Sequence, residues 1–197
     1  VEGDLDIIDN DVLTNLDGLS GITSVGGYLQ IAENDTLTNL DGLSNLTGLG
    51  GFLSIIDNSA LTNFDGLSNL TSFAGNLSIS NNAGLTNLDG LSGIASVMSL
   101  GISNNVALTN LDGLSGITSV GDTLFIGSNS NLGDCVGIAL LLGWPDGPPD
   151  DSVVGAITVQ SNASGCNSVE EILAGTGPSQ PVITAVSTGS GYAALTF

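Results

Sequence analysis

The sequence predicts a mostly β solenoid of about 24-residue coils, with one parallel sheet, irregular or 3₁₀ returns and a disulfide-closed C-terminal region. Three observations carry that prediction. A line written L-x-[IV]-x-x-N recurs with its first residue at Leu5, Leu29, Leu53, Leu77, Leu100, Leu124 and Ile157, in steps of 24, 24, 24, 23, 24 and 33 residues. The residue that closes it, at Asn10, Asn34, Asn58, Asn82, Asn105, Asn129 and Asn162, steps identically. Between successive copies lies a second block, usually LTNLDGLS, whose leucines follow a different period. One such unit cannot bury its own apolar face, so the coils must stack and share a continuous core.

The first half of each coil reads as a strand. In GYLQIAEN the alternation places Leu29 and Ile31 inside the coil and Tyr28, Gln30 and Ala32 outside. Asn34 ends the strand and is expected to turn inward, satisfying backbone groups that the bend exposes. Asn58, Asn82 and Asn105 continue the same structural ladder. Outward residues differ between copies: Ile8, Tyr28, Ala32, Phe52 and Ile56 make the first three partly apolar, while Asn76, Ser78, Ser80, Ser99, Gly101 and Ser103 make the next two small and polar. Exposed aromatics on a flat sheet can stack on sugars or bury against a partner, so Tyr28, Gln30, Phe52, Ser54 and Ile56 are the candidate binding surface.

The second half reads as a tight return. Leu37, Leu40, Leu43, Leu46 and Leu49 are spaced by three, which suits a 3₁₀-like path better than an α-helix. Asp41-Gly42 is a turn pair, with Asp expected to accept from nearby amides and Gly to supply positive φ. Asp17, Asp41, Asp65, Asp89 and Asp112 form one column. With rungs about 4.8 Å apart, neighbouring carboxylates in water repel by roughly 0.9 kcal/mol before screening. The column reads as a structural ladder of solvated turn caps, with a row of Ca2+ ions as the alternative. Thr14, Thr38, Thr62, Thr86 and Thr109 form another column; ice binding is the minor reading, since one column poorly matches a two-column lattice.

A 41% hydrophobic composition excludes disorder, and 197 residues allow one or two domains. Charge is the odd feature: 20 acids and no Lys, Arg or His give a formal charge of -20. Such a chain cannot neutralise phosphates, which excludes nucleic acid and anionic membrane surfaces as direct partners. It reads either as a highly acidic marine or halophilic protein or as a fragment resistant to trypsin-like proteases. No signal peptide opens it and Val1 already sits inside a coil, so a mature or excised product is expected. The apolar run from Val136 to Trp144 is too short for membrane insertion.

Cys135 and Cys166 flank the terminal coil and read as a disulfide closing a cap, hence an oxidising, extracellular compartment; a two-cysteine metal site is the weaker alternative. The first coil holds six acids, Glu2, Asp4, Asp6, Asp9, Asp11 and Asp17. Oxygen ligands at Glu2, Asp4, Asp6 and Asp9 suit Ca2+, against a solvated acidic edge or a dock for a basic neighbour. No cofactor is required. Enzyme activity is not expected: there is no His or Lys base, and the carboxylates occupy repeated turn positions rather than one cleft.

The segment LTNLDGLSGITSVGGYLQIAEN resembles bacterial leucine-rich repeats of the receptor L-domain type, found in large secreted proteins of marine Bacteroidetes. The similarity covers Val1 to Leu173. Its end, GDCVGIALLLGWPDG through GAITVQSNASGCNSVEEIL, is similar to that family's C-terminal cap, implying a short helix around Val136 to Leu142 and a last strand at Ala156 to Gln160. The segment after Gly175 resembles a linker followed by the first strands of a fibronectin type III domain. The resulting division is 1-134 leucine-rich-repeat solenoid, 135-173 cap, 174-181 linker and 182-197 incomplete fibronectin-like strands. These features imply an adhesion or ligand-binding module of a larger secreted or cell-surface protein, contacting protein or glycan. The alternative is a filament subunit assembled from copies of itself through the uncapped first coil and the C-terminal strand.

Overall fold

The computed structural model describes residues 1–73, 75–143 and 152–175. In chain order its strands are β1 (Leu5–Ile8), β2 (Ser24–Val25), β3 (Leu29–Ala32), β4 (Gly48–Leu49), β5 (Leu53–Ile56) and β6 (Ser72–Phe73). They continue as β7 (Leu77–Ser80), β8 (Ser96–Val97), β9 (Leu100–Ser103), β10 (Ser119–Val120), β11 (Leu124–Gly127) and β12 (Ile157–Gln160). The four-residue strands form one seven-stranded sheet in the order β1-β3-β5-β7-β9-β11-β12. Every pair is parallel, with Leu5 opposite Leu29, Leu29 opposite Leu53, and so on to Leu124 opposite Ile157. The register is the sequence repeat itself, so the expected parallel sheet is present; its last strand runs Ile157–Gln160, one residue shorter than the expected Ala156 to Gln160.

Burial follows the alternation. Leu29, Ile31, Leu53, Ile55, Ile79, Ile102, Leu124 and Ile126 are wholly buried, as are the return leucines Leu37, Leu40, Leu43 and Leu46. The returns are 3₁₀ turns at Asp17–Leu19, Asp41–Leu43, Asp65–Leu67, Asp89–Leu91, Asp112–Leu114 and Val136–Ile138. The expected helix over Val136 to Leu142 is a 3₁₀ turn followed by hydrogen-bonded turns as far as Gly143. A true helix instead lies at Val169–Gly175, labelled α1. The Ser168 hydroxyl accepts from the Glu171 amide at 3.2 Å, and the Glu171 carboxylate accepts from Gly165 and Asn167 at 2.9 and 3.0 Å. The Ser168 half of the S-x-x-E capping pattern is formed, while the Glu171 carboxylate reaches past the Ser168 N–H to the amides before it.

Asn34, Asn58, Asn82, Asn105 and Asn129 are wholly buried and form the expected ladder. Each side-chain oxygen accepts the backbone and side-chain N–H groups of the Asn one repeat earlier; Asn58 Oδ1 takes them from Asn34 at 3.2 and 3.1 Å. Each amide nitrogen reaches the carbonyl two residues back and one in the preceding coil, as Asn58 does to Ile56 and Ile31 at 2.9 and 3.0 Å. Among the described residues no buried side-chain polar atom lacks a partner. The ladder ends at Asn162, whose N–H donates to Asn167 Oδ1 at 3.2 Å. Just before the ladder, Asp9, Glu33, Asp57, Asn81, Asn104, Ser128 and Ser161 all have φ between 56° and 61°, the left-handed kink that lets the following Asn point inward.

The Asp-Gly turns differ from expectation in both residues. Asp41, Asp65, Asp89 and Asp112 are exposed and make no side-chain capping bond. The cap belongs to the Asn two residues earlier: Asn39, Asn63, Asn87 and Asn110 accept the N–H of those aspartates at 3.0–3.1 Å. Glycine is needed for space rather than positive φ. A Cβ at Gly42, Gly66, Gly90, Gly113 or Gly137 would collide with the backbone carbonyl of Leu16, Leu40, Phe64, Leu88 or Leu111 in the preceding coil.

The two-residue strands form a second parallel ladder in two pieces, β2-β4-β6 and β8-β10. The break lies between β6 and β8, which are 24 residues apart, while β8 and β10 stay paired across the single 23-residue step. Three residues separate Phe73 from Leu77, but only Met98 and Ser99 separate Val97 from Leu100. The main sheet passes this point unbroken. Cys135 and Cys166 form a disulfide with a Cα separation of 5.6 Å, tying the last 3₁₀ turn to the bend after β12. The helix α1 runs past Leu173, where the cap was expected to end. The expected fibronectin-like strands at 182-197 lie outside the described residues, as does nearly all of the linker.

Candidate binding surface

The repeats differ along the outer face of the main sheet. The column just before each strand reads Asp4, Tyr28, Phe52, Asn76, Ser99, Thr123 and Ala156. Equal register brings Tyr28 and Phe52 side by side, their ring centroids 4.4 Å apart and planes 6° from parallel. Each ring therefore covers one face of the other. The pair offers ring edges and a hydroxyl to the outside, not the flat platform the sequence suggested for stacking a sugar.

Tyr28 is also the meeting point of the first coil's acids. Asp4 Oδ1 accepts its backbone N–H at 3.1 Å, and its hydroxyl donates to Asp6 Oδ2 at 3.1 Å. The hydrogen bond to Asp6 holds the phenol above its ordinary 10.0, with desolvation and the negative charges of Asp6 and Asp4 acting in the same direction. Asp4 and Asp6 are thus placed as partners of a neutral hydroxyl and an amide. Glu2 approaches Gly26 through its backbone carbonyl, and Asp9 stands beyond the strand end on its left-handed kink. Among the described residues no group of three or more acidic, His or Cys side chains is gathered for a metal ion.

The remaining candidates divide. Gln30 and Ile56 are half-buried and reach the surface. Ser54 does not: it is 7% exposed, seated between Gln30 and Ser78 in the register, and is withdrawn as a contact residue. Ala32, also outward by alternation, is 5% exposed because Ile8 and Ile56 flank it. Ile8, Ala32 and Ile56 form an apolar row along one margin of the first three strands, parallel to the Tyr28–Phe52 pair. Sequence reasoning passed over Phe125, half-buried on the outer face of β11, with its ring over the position a Gly127 side chain would occupy. The F-x-G pairing, with Gly one outward position later, was the available signal.

Other columns are accounted for by backbone bonding. The hydroxyls of Thr38, Thr62, Thr86 and Thr109 donate to the carbonyl of the preceding Thr at 3.1–3.4 Å. The side-chain amides of Asn45 and Asn69 donate to Ser20 and Ser44 carbonyls at 2.8 and 2.7 Å. No helix among the described residues is long and apolar enough to cross a membrane. Comparison with protein-family models, curated proteins and solved structures finds no match to this chain.

Proposed function

We propose that the chain is a leucine-rich-repeat solenoid acting as an adhesion or ligand-binding module of a larger secreted or cell-surface protein. The outer face of its first three strands is the contact surface. One observation carries this reading: apolar and aromatic side chains, Ile8, Tyr28, Phe52 and Ile56, are set on a sheet face whose next two strands are small and polar. Regular positions are consumed by stacking, so the stretch where neighbouring repeats depart together, rather than singly as at Phe125, is where selection for contact would act. The stacked rings, held by Asp6, are pre-organised and lose little freedom on binding.

The cystine at Cys135–Cys166 supports an oxidising compartment. Edge-on rings beside an apolar row favour a protein partner over a flat sugar, and the net charge of -20 favours a partner with basic groups at its rim.

Retention of protein-coated beads on protein-coated and glycan-coated surfaces tests the proposal. Replacing Tyr28 and Phe52 together by Ser should weaken adhesion by roughly 30-fold or more, the effect of losing a central aromatic anchor. Replacing Ser78 and Ser80 by Ala should leave it unchanged. Equal retention of the aromatic-free variant and the parent would refute the assignment of this face.

A further inference from the structure

We infer that the outer face of the first three main-sheet strands receives a basic amphipathic helix, laid along the stacking direction with lysines or arginines beside Asp9, Glu33 and Asp57. The inference rests on the reading of this face as the contact surface and names the class of partner.

Two departures from the repeat fall on the same strands. Five positions of each coil lie along the outer sheet face and its margin: the residue before the strand, the second and fourth strand residues, the residue on the left-handed kink and the one after the ladder Asn. In the first three coils these positions hold seven acids, and in the next four coils they hold none. The same three coils carry the apolar row Ile8, Ala32 and Ile56 and the Tyr28–Phe52 pair. The kink column is the clearest case. Its left-handed backbone suits Asn and Asp, and the fourth and fifth coils carry Asn81 and Asn104 there. The first three carry Asp9, Glu33 and Asp57 at φ 56–58°, the Glu against that local preference. All three side chains are exposed, and their carboxylates have no hydrogen-bond partner among the described residues. They border the apolar row with their charge free for a partner.

Spacing selects a helix as the occupant. Adjacent strands are about 4.8 Å apart, so the row from Asp9 to Asp57 spans about 9.6 Å. A helix rises about 1.5 Å per residue and sets residues i, i+4 and i+7 over about 10.5 Å on one flank. An extended segment spreads three same-face residues over about 13.5 Å, which overshoots the row. Width agrees as well. Tyr28 and Ala32 are four strand positions apart, about 13 Å, and a helix with its side chains is about 10–12 Å across. Its apolar stripe lies on the aromatic pair and the isoleucine row, and its basic side chains bury their stems on that row to reach the acids beyond. A second copy cannot be the occupant, because this sequence has no Lys, Arg or His to supply the charges.

The test is fluorescence anisotropy with a labelled amphipathic helical peptide of leucine and lysine, beside a leucine-free lysine–serine peptide, and competition by spermine and by a chitosan oligomer. Asp9→Asn, Glu33→Asn and Asp57→Asn together reproduce the residue found at Asn81 and Asn104, so the urea midpoint should be unchanged or raised. This kink triple should weaken the leucine–lysine peptide roughly tenfold and flatten its salt dependence. Asp65→Asn, Asp89→Asn and Asp112→Asn together remove the same charge from the returns and should change binding by less than about twofold. Ile8→Ser with Ile56→Ser, which reproduces the residue found at Ser80, should weaken the peptide roughly tenfold. Equal loss from both acid triples would overturn the inference by making the attraction diffuse. Equally tight binding of the leucine-free peptide, spermine or the chitosan oligomer, with equal sensitivity to the kink triple, would overturn it by giving the acids to a simple cation or a glycan. If Tyr28→Ser with Phe52→Ser abolishes adhesion while the kink triple alters neither adhesion nor peptide binding, the contact surface stands and the helix falls. If neither set alters adhesion, the contact surface falls and the inference with it.

Discussion

At the scale of single residues, the buried Asn shows how one side chain substitutes for a backbone turn. Asn58 has partners in three consecutive coils, and its removal takes the acceptor from the Asn34 N–H groups and a donor from the carbonyls of Ile31, in that same coil, and Ile56, in its own. Leaving a buried polar group unpaired costs about 1–3 kcal/mol each. Asn58→Ala should therefore lower the unfolding free energy by roughly 3–5 kcal/mol in urea titration, against about 1 kcal/mol for Asn10→Ala at the exposed end. This role was legible from recurrence, because a polar residue fixed beside an apolar strand needs internal partners. The Asp role was misread for a related reason: Asp and Asn both recur in LTNLDG, and sequence does not say which of two short polar side chains reaches the turn amide. Tyr28 supplies a residue-scale test with a defined sign. Its phenol pKa is raised in the folded state, so the Asp6 bond stabilises the fold below pH 10.0 and that contribution is lost as pH climbs through the raised value. Alkaline absorbance titration should show one tyrosine shifted upward, returning toward 10.0 in Asp6→Asn.

At the scale of elements, the period-2 and period-3 patterns gave strand and return with boundaries close to those observed. They could not give thickness. What sets how closely the returns approach is the glycine seated against the previous coil's carbonyl, a contact between residues 26 apart, as Gly66 is from Leu40. Gly66→Ala should accordingly destabilise by about 1–3 kcal/mol, the usual cost of forcing an extra group into a full interior, read as a lowered urea midpoint. The helix α1 was readable from Ser168-x-x-Glu171, whereas the resemblance to a cap placed the expected helix at Val136 to Leu142. The 23-residue step was visible in sequence, and the structure absorbs it in the two-residue corner between Val97 and Leu100, keeping both β7 with β9 and β8 with β10 in register. The binding face was half legible. Alternation identified Tyr28, Phe52 and Ile56 as outward, but neighbouring side chains cover Ser54 and Ala32, and ring-on-ring stacking depends on a lateral contact that no single repeat contains.

At the scale of the whole molecule, the acids are carried without any Lys, Arg or His to balance them. Self-repulsion falls as the screening length shortens to about 10 Å at 0.1 M salt. The melting temperature should rise between 0.01 and 0.5 M NaCl, and matched ionic strength in CaCl2 should add nothing further, given how Asp4 and Asp6 are engaged. An additional rise specific to calcium, abolished by Asp4→Asn, would instead restore the metal reading. Every amide in the Asn ladder points the same way, with oxygen toward the first repeat and nitrogen toward the last, so the side-chain dipoles add in series as peptide dipoles do along a helix. The negative pole lies at the end that also holds six of the acids. The stack is thus polar along its length: the amide series ends in the Asn10 oxygen at the first repeat, whereas at the far end its last nitrogen is taken up by the Cys166 carbonyl.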